Sequence, residues 1–106
     1  MSAYLFLLGA VIFEVIGTLL LPTTQNFSRI LPAVALTIAY LLSFYLLTFA
    51  VKKIPLAIVY ASWAGMGVLL IAVLSYFFYK QTLGWQAMVG LAFIVIGVTL
   101  VNVYKT

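Results

Sequence analysis

Residues 3–21, AYLFLLGAVIFEVIGTLLL, form an apolar run broken by a single charge, Glu14. A hydrocarbon core about 30 Å thick takes roughly 20 such residues per helical crossing. Three further runs follow at 31–51, 56–79 and 86–104. The pattern predicts an all-α integral membrane fold of four transmembrane helices joined by short loops at 22–30, 52–55 and 80–85. The loops hold no soluble catalytic domain, so 1–106 is read as a single four-helix transmembrane domain. A transmembrane β-barrel would show segments of about 10 residues alternating apolar and polar, and these runs do not. The first run lacks a basic leading segment and carries Glu14 in its middle, so it is read as a mature helix rather than a signal peptide.

Composition agrees. Of the 106 residues, 68% are hydrophobic and 6% charged, against about 25% charged in a soluble domain. A soluble bundle needs a polar stripe on every helix, whereas here Arg29, Lys52, Lys53, Lys80 and Lys105 sit at the ends of the runs or between them. Lipid is therefore the solvent of this chain. The net charge of +4 does not gather into a patch, and it reads as membrane-flanking anchors and not as a nucleic-acid footprint. The absence of Cys and His excludes zinc sites, disulfides, thiol nucleophiles and catalytic triads. No metal or cofactor is expected, and an intramembrane enzyme lacks a catalytic set. Pro22, Pro32 and Pro55 fall near helix ends, where a missing N–H is tolerated. Tyr4, Tyr79, Trp85 and Tyr104 suit the headgroup level.

Four crossings put both termini and the second loop on one side. That side carries Lys52, Lys53 and Lys105 against Arg29 and Lys80 on the other, a difference of one. The positive-inside rule needs a clear asymmetry. Near-balance permits insertion both ways round, and two opposed copies would form an antiparallel dimer with the inverted symmetry transporters use; chance in so short a chain is the alternative.

Glu14 is the only acidic residue, at a depth where a charge costs on the order of 3 kcal/mol on insertion scales. No Lys or Arg lies within a run to pair with it. Intramembrane carboxylates mark ion or proton pathways; a neutral, hydrogen-bonded carboxyl is the structural alternative. Ala10, Gly17 and Thr18 share its helical face and admit a ligand or a neighbouring backbone. Tyr60 and Trp63, three apart, offer two π-faces to an organic cation, an attraction of roughly 2 kcal/mol in a dry site, or serve as packing. Gly65 and Gly67 permit a hinge or tight packing. Tyr40, Ser43, Phe44 and Leu47 form a stripe able to line the same cavity. Gly90 and Gly97, seven apart on one face of the last helix, suit a helix–helix contact. Four short helices enclose little volume, so a dimer is the simpler way to build a cavity around Glu14.

These residues carry a resemblance. Glu14-Val15-Ile16-Gly17-Thr18, Asn26-Phe27-Ser28-Arg29, Pro55 followed by Ile58-Val59-Tyr60-Ala61-Ser62-Trp63-Ala64-Gly65-Met66-Gly67, and the Gly90-to-Gly97 spacing resemble the small multidrug resistance family across all four helices. The resemblance implies an antiparallel, dual-topology homodimer in the bacterial inner membrane that exports cations in exchange for protons. It implies Glu14 of both subunits as the shared proton and substrate site, lined by Tyr40, Tyr60 and Trp63, with the fourth helices as the dimer contact. Ile16-Gly17-Thr18 is similar to the exporters of quaternary ammonium and polyaromatic cations; guanidinium exporters usually carry Trp two residues after the glutamate. Pro22, Ala57 and Ala64 depart from the usual Lys, Gly and Ser/Thr, which bears on topology and substrate range. Export of a small cation such as guanidinium or a choline-like compound, or service as one subunit of a heterodimer, are the alternatives. A passive channel would show a longer polar stripe than Thr37, Tyr40 and Ser43, and a mere assembly factor would have no reason to keep Glu14.

Overall fold

The computed structural model describes residues 2–104, so Lys105, counted in the charge balance, lies outside the described residues. Four helices account for nearly all of it: α1 (Ser2–Leu20), α2 (Ile30–Ala50), α3 (Leu56–Tyr79) and α4 (Trp85–Val103). All four are long and apolar enough to cross a membrane. Helices of 19 to 24 residues span about 28 to 36 Å at 1.5 Å per residue, which matches the hydrocarbon thickness.

The helix ends follow from local chemistry. Leu21–Thr24 tightens into a 3-10 turn with Pro22 in its first positions, because a proline nitrogen has no hydrogen to continue the α-helical ladder. Arg29 is extended and α2 begins at Ile30, with Pro32 in the first turn, where backbone N–H groups have no intrahelical acceptor. Pro55 precedes α3 and extended Gly84 precedes α4. Gln25, Asn26 and Phe27 are left-handed in the first loop. Thr24 secures them: its hydroxyl accepts the Phe27 N–H (3.3 Å) and its carbonyl accepts the Arg29 N–H (3.1 Å). Lys80 closes α3 in a left-handed conformation, its N–H donated to the Ser75 carbonyl.

α1 is the central helix. Its buried Leu7, Val11 and Val15 pack with Ala50 at the end of α2, Ile54 in the second loop and Val59 of α3. Small residues bring the backbones close, as expected where lipid supplies no hydrophobic drive between helices. A Cβ on Gly17 would lie 3.5 Å from both the Ala39 Cβ and the Leu36 carbonyl oxygen of α2. α4 stands apart, packed mainly on α3, and none of its described residues is buried. The chain is accordingly a slab, with extents of 44 × 35 × 17 Å.

The α3–α4 seam is closed at one end and open at the other. Near the start of α1, Tyr4 Oη donates to Asn102 Oδ1 (2.9 Å), and Asn102 Nδ2 donates to Ser62 Oγ (2.7 Å) and to the Val98 carbonyl (2.9 Å). This chain of bonds ties α1, α4 and α3 together beside the Gly65–Val98 contact. Toward the third loop α3 and α4 separate, leaving a cavity of about 560 Å³ between residues such as Tyr76 and Met88. At that end Tyr79 Oη reaches back to the Leu19 carbonyl, 2.6 Å away.

Candidate functional site

Glu14 lies midway along α1 and faces a cavity of about 480 Å³ that it lines with Thr18, Tyr40, Trp63, Ala64 and Ser75 among others. Helical spacing puts Thr18 one turn beyond the carboxylate on the same face, and its hydroxyl donates to Glu14 Oε2 at 3.0 Å. The Thr18 hydroxyl has one proton to give, so the short contact with Tyr40 is donated by the tyrosine. Tyr40, Thr18 and Glu14 thus form a directed chain running from α2 onto the carboxylate.

The other oxygen, Glu14 Oε1, is buried and has no hydrogen-bond partner among the described residues. It rests against the backbone of Gly67 on α3, so closely that a Cβ at that position would overlap it. Only glycine admits the carboxylate there. Leaving a buried acceptor unsatisfied costs about 1 to 3 kcal/mol, and more when it is charged. A proton or a cation at Oε1 removes that penalty, and no basic side chain lies inside the helices to do so.

The sequence-predicted residues divide into three groups. Glu14, Thr18, Tyr40 and Trp63 meet at the cavity. Phe44 and Tyr60 stand on the far side of Trp63, their rings 5.5 and 6.1 Å from its indole, around a second depression of about 330 Å³. Trp63 lines both spaces, and Tyr60 is 65% exposed within the chain. Ala10, Gly17 and Ser43 are buried between helices. Ser43 Oγ donates to the Ala10 carbonyl (2.6 Å) and accepts the Trp63 Nε1–H (3.0 Å).

Both α3 glycines sit at close approaches in an unbroken helix. A Cβ on Gly65 would lie 2.5 Å from Val98 Cγ2 and 3.2 Å from Ile94 Cγ2. Gly90 and Gly97 have nothing within 4 Å, so the face they share is unoccupied within the chain. Sequence reasoning missed Ser75, Gln81, Leu83 and Leu91 in the cavity wall. Ser75 continues the stripe of Ala64, Val68, Ile71 and Ala72 along α3, a periodicity that was there to be followed, whereas Gln81 and Leu83 lie in the third loop and Leu91 on α4, where no α3 spacing marks them. Asn102 was also missed, although a carboxamide among apolar residues in the last turn of the final run was itself a signal.

A four-helix, multi-pass membrane protein with one carboxylate set in a mid-membrane cavity is the class that fold and site define. The family described as Small Multidrug Resistance protein matches residues 2–94. The chain is 41% identical over 102 residues to the multidrug transporter EmrE of Escherichia coli K12, covering 96% of this chain and 93% of that protein. It is 39% identical to the quaternary ammonium compound-resistance protein QacF of Klebsiella aerogenes, with the same coverage of 96% and 93%. It is also 36% identical to the multidrug resistance protein EbrB of Bacillus licheniformis, across 100% of this chain and 89% of that one. The chain belongs to the small multidrug resistance family, a family of membrane transporters and not of enzymes.

Proposed function

We propose that the chain is a proton-coupled antiporter that exports hydrophobic cations, quaternary ammonium and aromatic compounds, and works as an antiparallel homodimer whose two Glu14 carboxylates are shared by protons and substrate. The observation that carries this reading is Glu14 Oε1, the buried oxygen of a carboxylate that lines the cavity, without a hydrogen-bond donor among the described residues. One group that must hold either a proton or a cation, and not both, is what exchange requires. The names of relatives that resist quaternary ammonium compounds support the substrate class. Ile16 stands two residues after Glu14, where the resemblance to guanidinium exporters would put Trp. In a dimer the uncovered face of α4 with Gly90 and Gly97 meets the partner, and the slab of one chain becomes half of a closed chamber. Gly65 and Gly67 are where α3 flexes as the chamber changes sides.

The deciding experiment is substrate-driven proton movement in liposomes, screened with quaternary ammonium, aromatic, choline-like and guanidinium cations. Proton flux with the first two classes is expected, and a flat response to all four counts against transport.

Competition at one carboxylate fixes the sign of the pH dependence. A substrate cation prefers ionised Glu14, so its apparent affinity rises with pH through the Glu14 titration and levels off above it. By linkage, binding within that range releases protons. Each exchanged proton contributes about 1.4 kcal/mol per pH unit of gradient. Calorimetric titration in buffers of different ionisation enthalpy should show a buffer-dependent heat; constant affinity without proton release across the range returns Glu14 to a structural role.

Trp63→Ala and Tyr60→Ala should each weaken aromatic-cation binding by about tenfold, or 1 to 2 kcal/mol. Dimer stability should fall less; for Val in place of Gly90 or Gly97 the order reverses, and dimer formation fails first. Equal losses of folding and binding in the aromatic variants would favour plain packing.

Cysteine labels in the first loop should react from both sides of the membrane, since the flanking charge is nearly balanced. Two further Lys beside Lys52 and Lys53 should bias one orientation and lower activity when that version is expressed alone. One-sided labelling of active wild-type protein would sink the antiparallel arrangement.

A further inference from the structure

We propose that Ser43 is a positioning residue: its hydroxyl sets the plane of the Trp63 indole and joins that ring to the turn of α1 that carries Glu14. The inference rests on the cation-transport reading above and names the group that tunes it for flat aromatic substrates.

Ser43 shares a stripe with Tyr40 and Phe44, but it is fully buried, with 0% exposure, and touches none of the three cavities described above. A ligand in the Glu14 cavity or in the depression beside Tyr60 meets Trp63 and not the serine. Its hydroxyl both donates and accepts. The single proton goes to the Ala10 carbonyl at 2.6 Å, and a lone pair takes the Trp63 indole N–H at 3.0 Å.

The Ala10 carbonyl is itself a special acceptor. Within α1 the ladder of i to i−4 bonds gives it the backbone N–H of Glu14. The path therefore runs from the indole N–H, through the serine hydroxyl, to the peptide oxygen that also holds Glu14 in its turn. Three helices meet in these two side-chain bonds, and the aromatic wall and the carboxylate are fixed relative to one another.

A buried indole N–H keeps its acceptor wherever one is offered. With Ser43 replaced by Ala, the ring loses the bond that selects its rotation about the second side-chain torsion. The consequence depends on the ligand. A planar aromatic cation stacks across the whole ring and needs its plane, whereas a compact tetraalkylammonium touches the ring face over a smaller area, is balanced mainly by Glu14, and loses less when the ring tilts.

The test is a double-mutant cycle with Trp63→Phe, which keeps an aromatic ring and has no N–H to donate. Binding of one aromatic cation and of tetramethylammonium is titrated for wild type, Ser43→Ala, Trp63→Phe and the double variant. Ser43→Ala alone should weaken the aromatic cation about three- to tenfold, the range of one net hydrogen bond. The effect on tetramethylammonium should be clearly smaller, and Ser43→Ala should cost nothing further once Trp63 is Phe. An equal loss in both backgrounds would mean that Ser43 only packs α2 on α1, and would overturn the proposal.

A second readout does not depend on transport. In a Trp85→Phe background Trp63 is the one remaining tryptophan of the two in the chain, so every indole N–H resonance is that of Trp63, one for each protomer environment. Ser43→Ala should move each such resonance upfield and speed its exchange with solvent in the ligand-free protein. An unmoved resonance would overturn the proposal even if affinities fell. Failure of the wild-type chain to bind either cation at any pH would instead overturn the transport reading, and the resonance would still decide whether Ser43 holds Trp63.

Discussion

Glu14→Gln is expected to abolish proton-coupled export while leaving a folded, membrane-inserted protein. Glutamine keeps the length and shape of the side chain and its carbonyl oxygen still accepts from Thr18, whose bond to Glu14 is 3.0 Å. It cannot ionise, so it neither exchanges a proton nor balances a substrate charge. Replacing an unpaired buried carboxyl by a neutral amide does not lower stability on the charge account, since the helices hold no basic partner for it to lose. The measurement is substrate-driven proton flux in proteoliposomes, with helix content and thermal unfolding in detergent as controls. Glu14→Asp should retain partial flux with an altered pH profile, because the charge survives on a stem one methylene shorter. Near wild-type coupled flux by Glu14→Gln would refute the carboxylate mechanism.

The second large effect is expected at a residue with no chemistry of its own. Gly67→Ala places a methyl where Glu14 Oε1 lies, so the carboxylate must swing off the α3 backbone and lose its placement against Thr18. Carboxylate atoms at the end of a flexible side chain give way cheaply, and Ala is favoured over Gly inside a helix by about 0.5 to 1 kcal/mol. Folding should therefore be unchanged or slightly improved, while cation affinity falls by about tenfold or more, roughly 1.4 kcal/mol. Gly65→Ala should behave in the opposite way. Its methyl would sit 2.5 Å from Val98 Cγ2, and valine is stiff at its first torsion. Overpacking of that kind costs about 1 to 3 kcal/mol, so the α3–α4 seam should weaken while the Glu14 cavity keeps its lining. Thermal unfolding and cation titration on the two variants separate the roles; wild-type affinity in Gly67→Ala would mean that the carboxylate does not depend on this contact.

Helix number and position were legible along the chain because each property is local. Apolar length against bilayer thickness sets four crossings. Pro22, Pro32, Pro55 and Gly84 punctuate them, and α1, α2 and α4 each begin and end one residue before the apolar runs counted from composition. Glu14 was legible for the same reason: a lone carboxylate in hydrocarbon needs no partner to be conspicuous. Thr18, four residues on, followed from helical periodicity alone.

What the chain order does not contain is which face meets which helix. Tyr40, Ser43 and Phe44 belong to one stripe, yet the tertiary structure gives them three different tasks. Tyr40 bonds to Thr18 at the Glu14 cavity, Ser43 is sealed between α1 and Trp63, and Phe44 packs at a tilt against the outer side of that indole. Gly65 and Gly67 read identically as small residues, but one admits α4 and the other admits a carboxylate. Periodicity repeats at about 100° per residue and names a side of a helix, whereas the roughly 40 to 60° between stripe neighbours decides between a cavity and a packed seam. The sequence by itself determined a four-helix membrane protein built around Glu14. Only the packing of α2 and α3 on α1 decided which hydroxyl reaches the carboxylate, which ring faces the cavity and which oxygen has no donor among the described residues, because those depend on contacts between residues 20 to 53 positions apart.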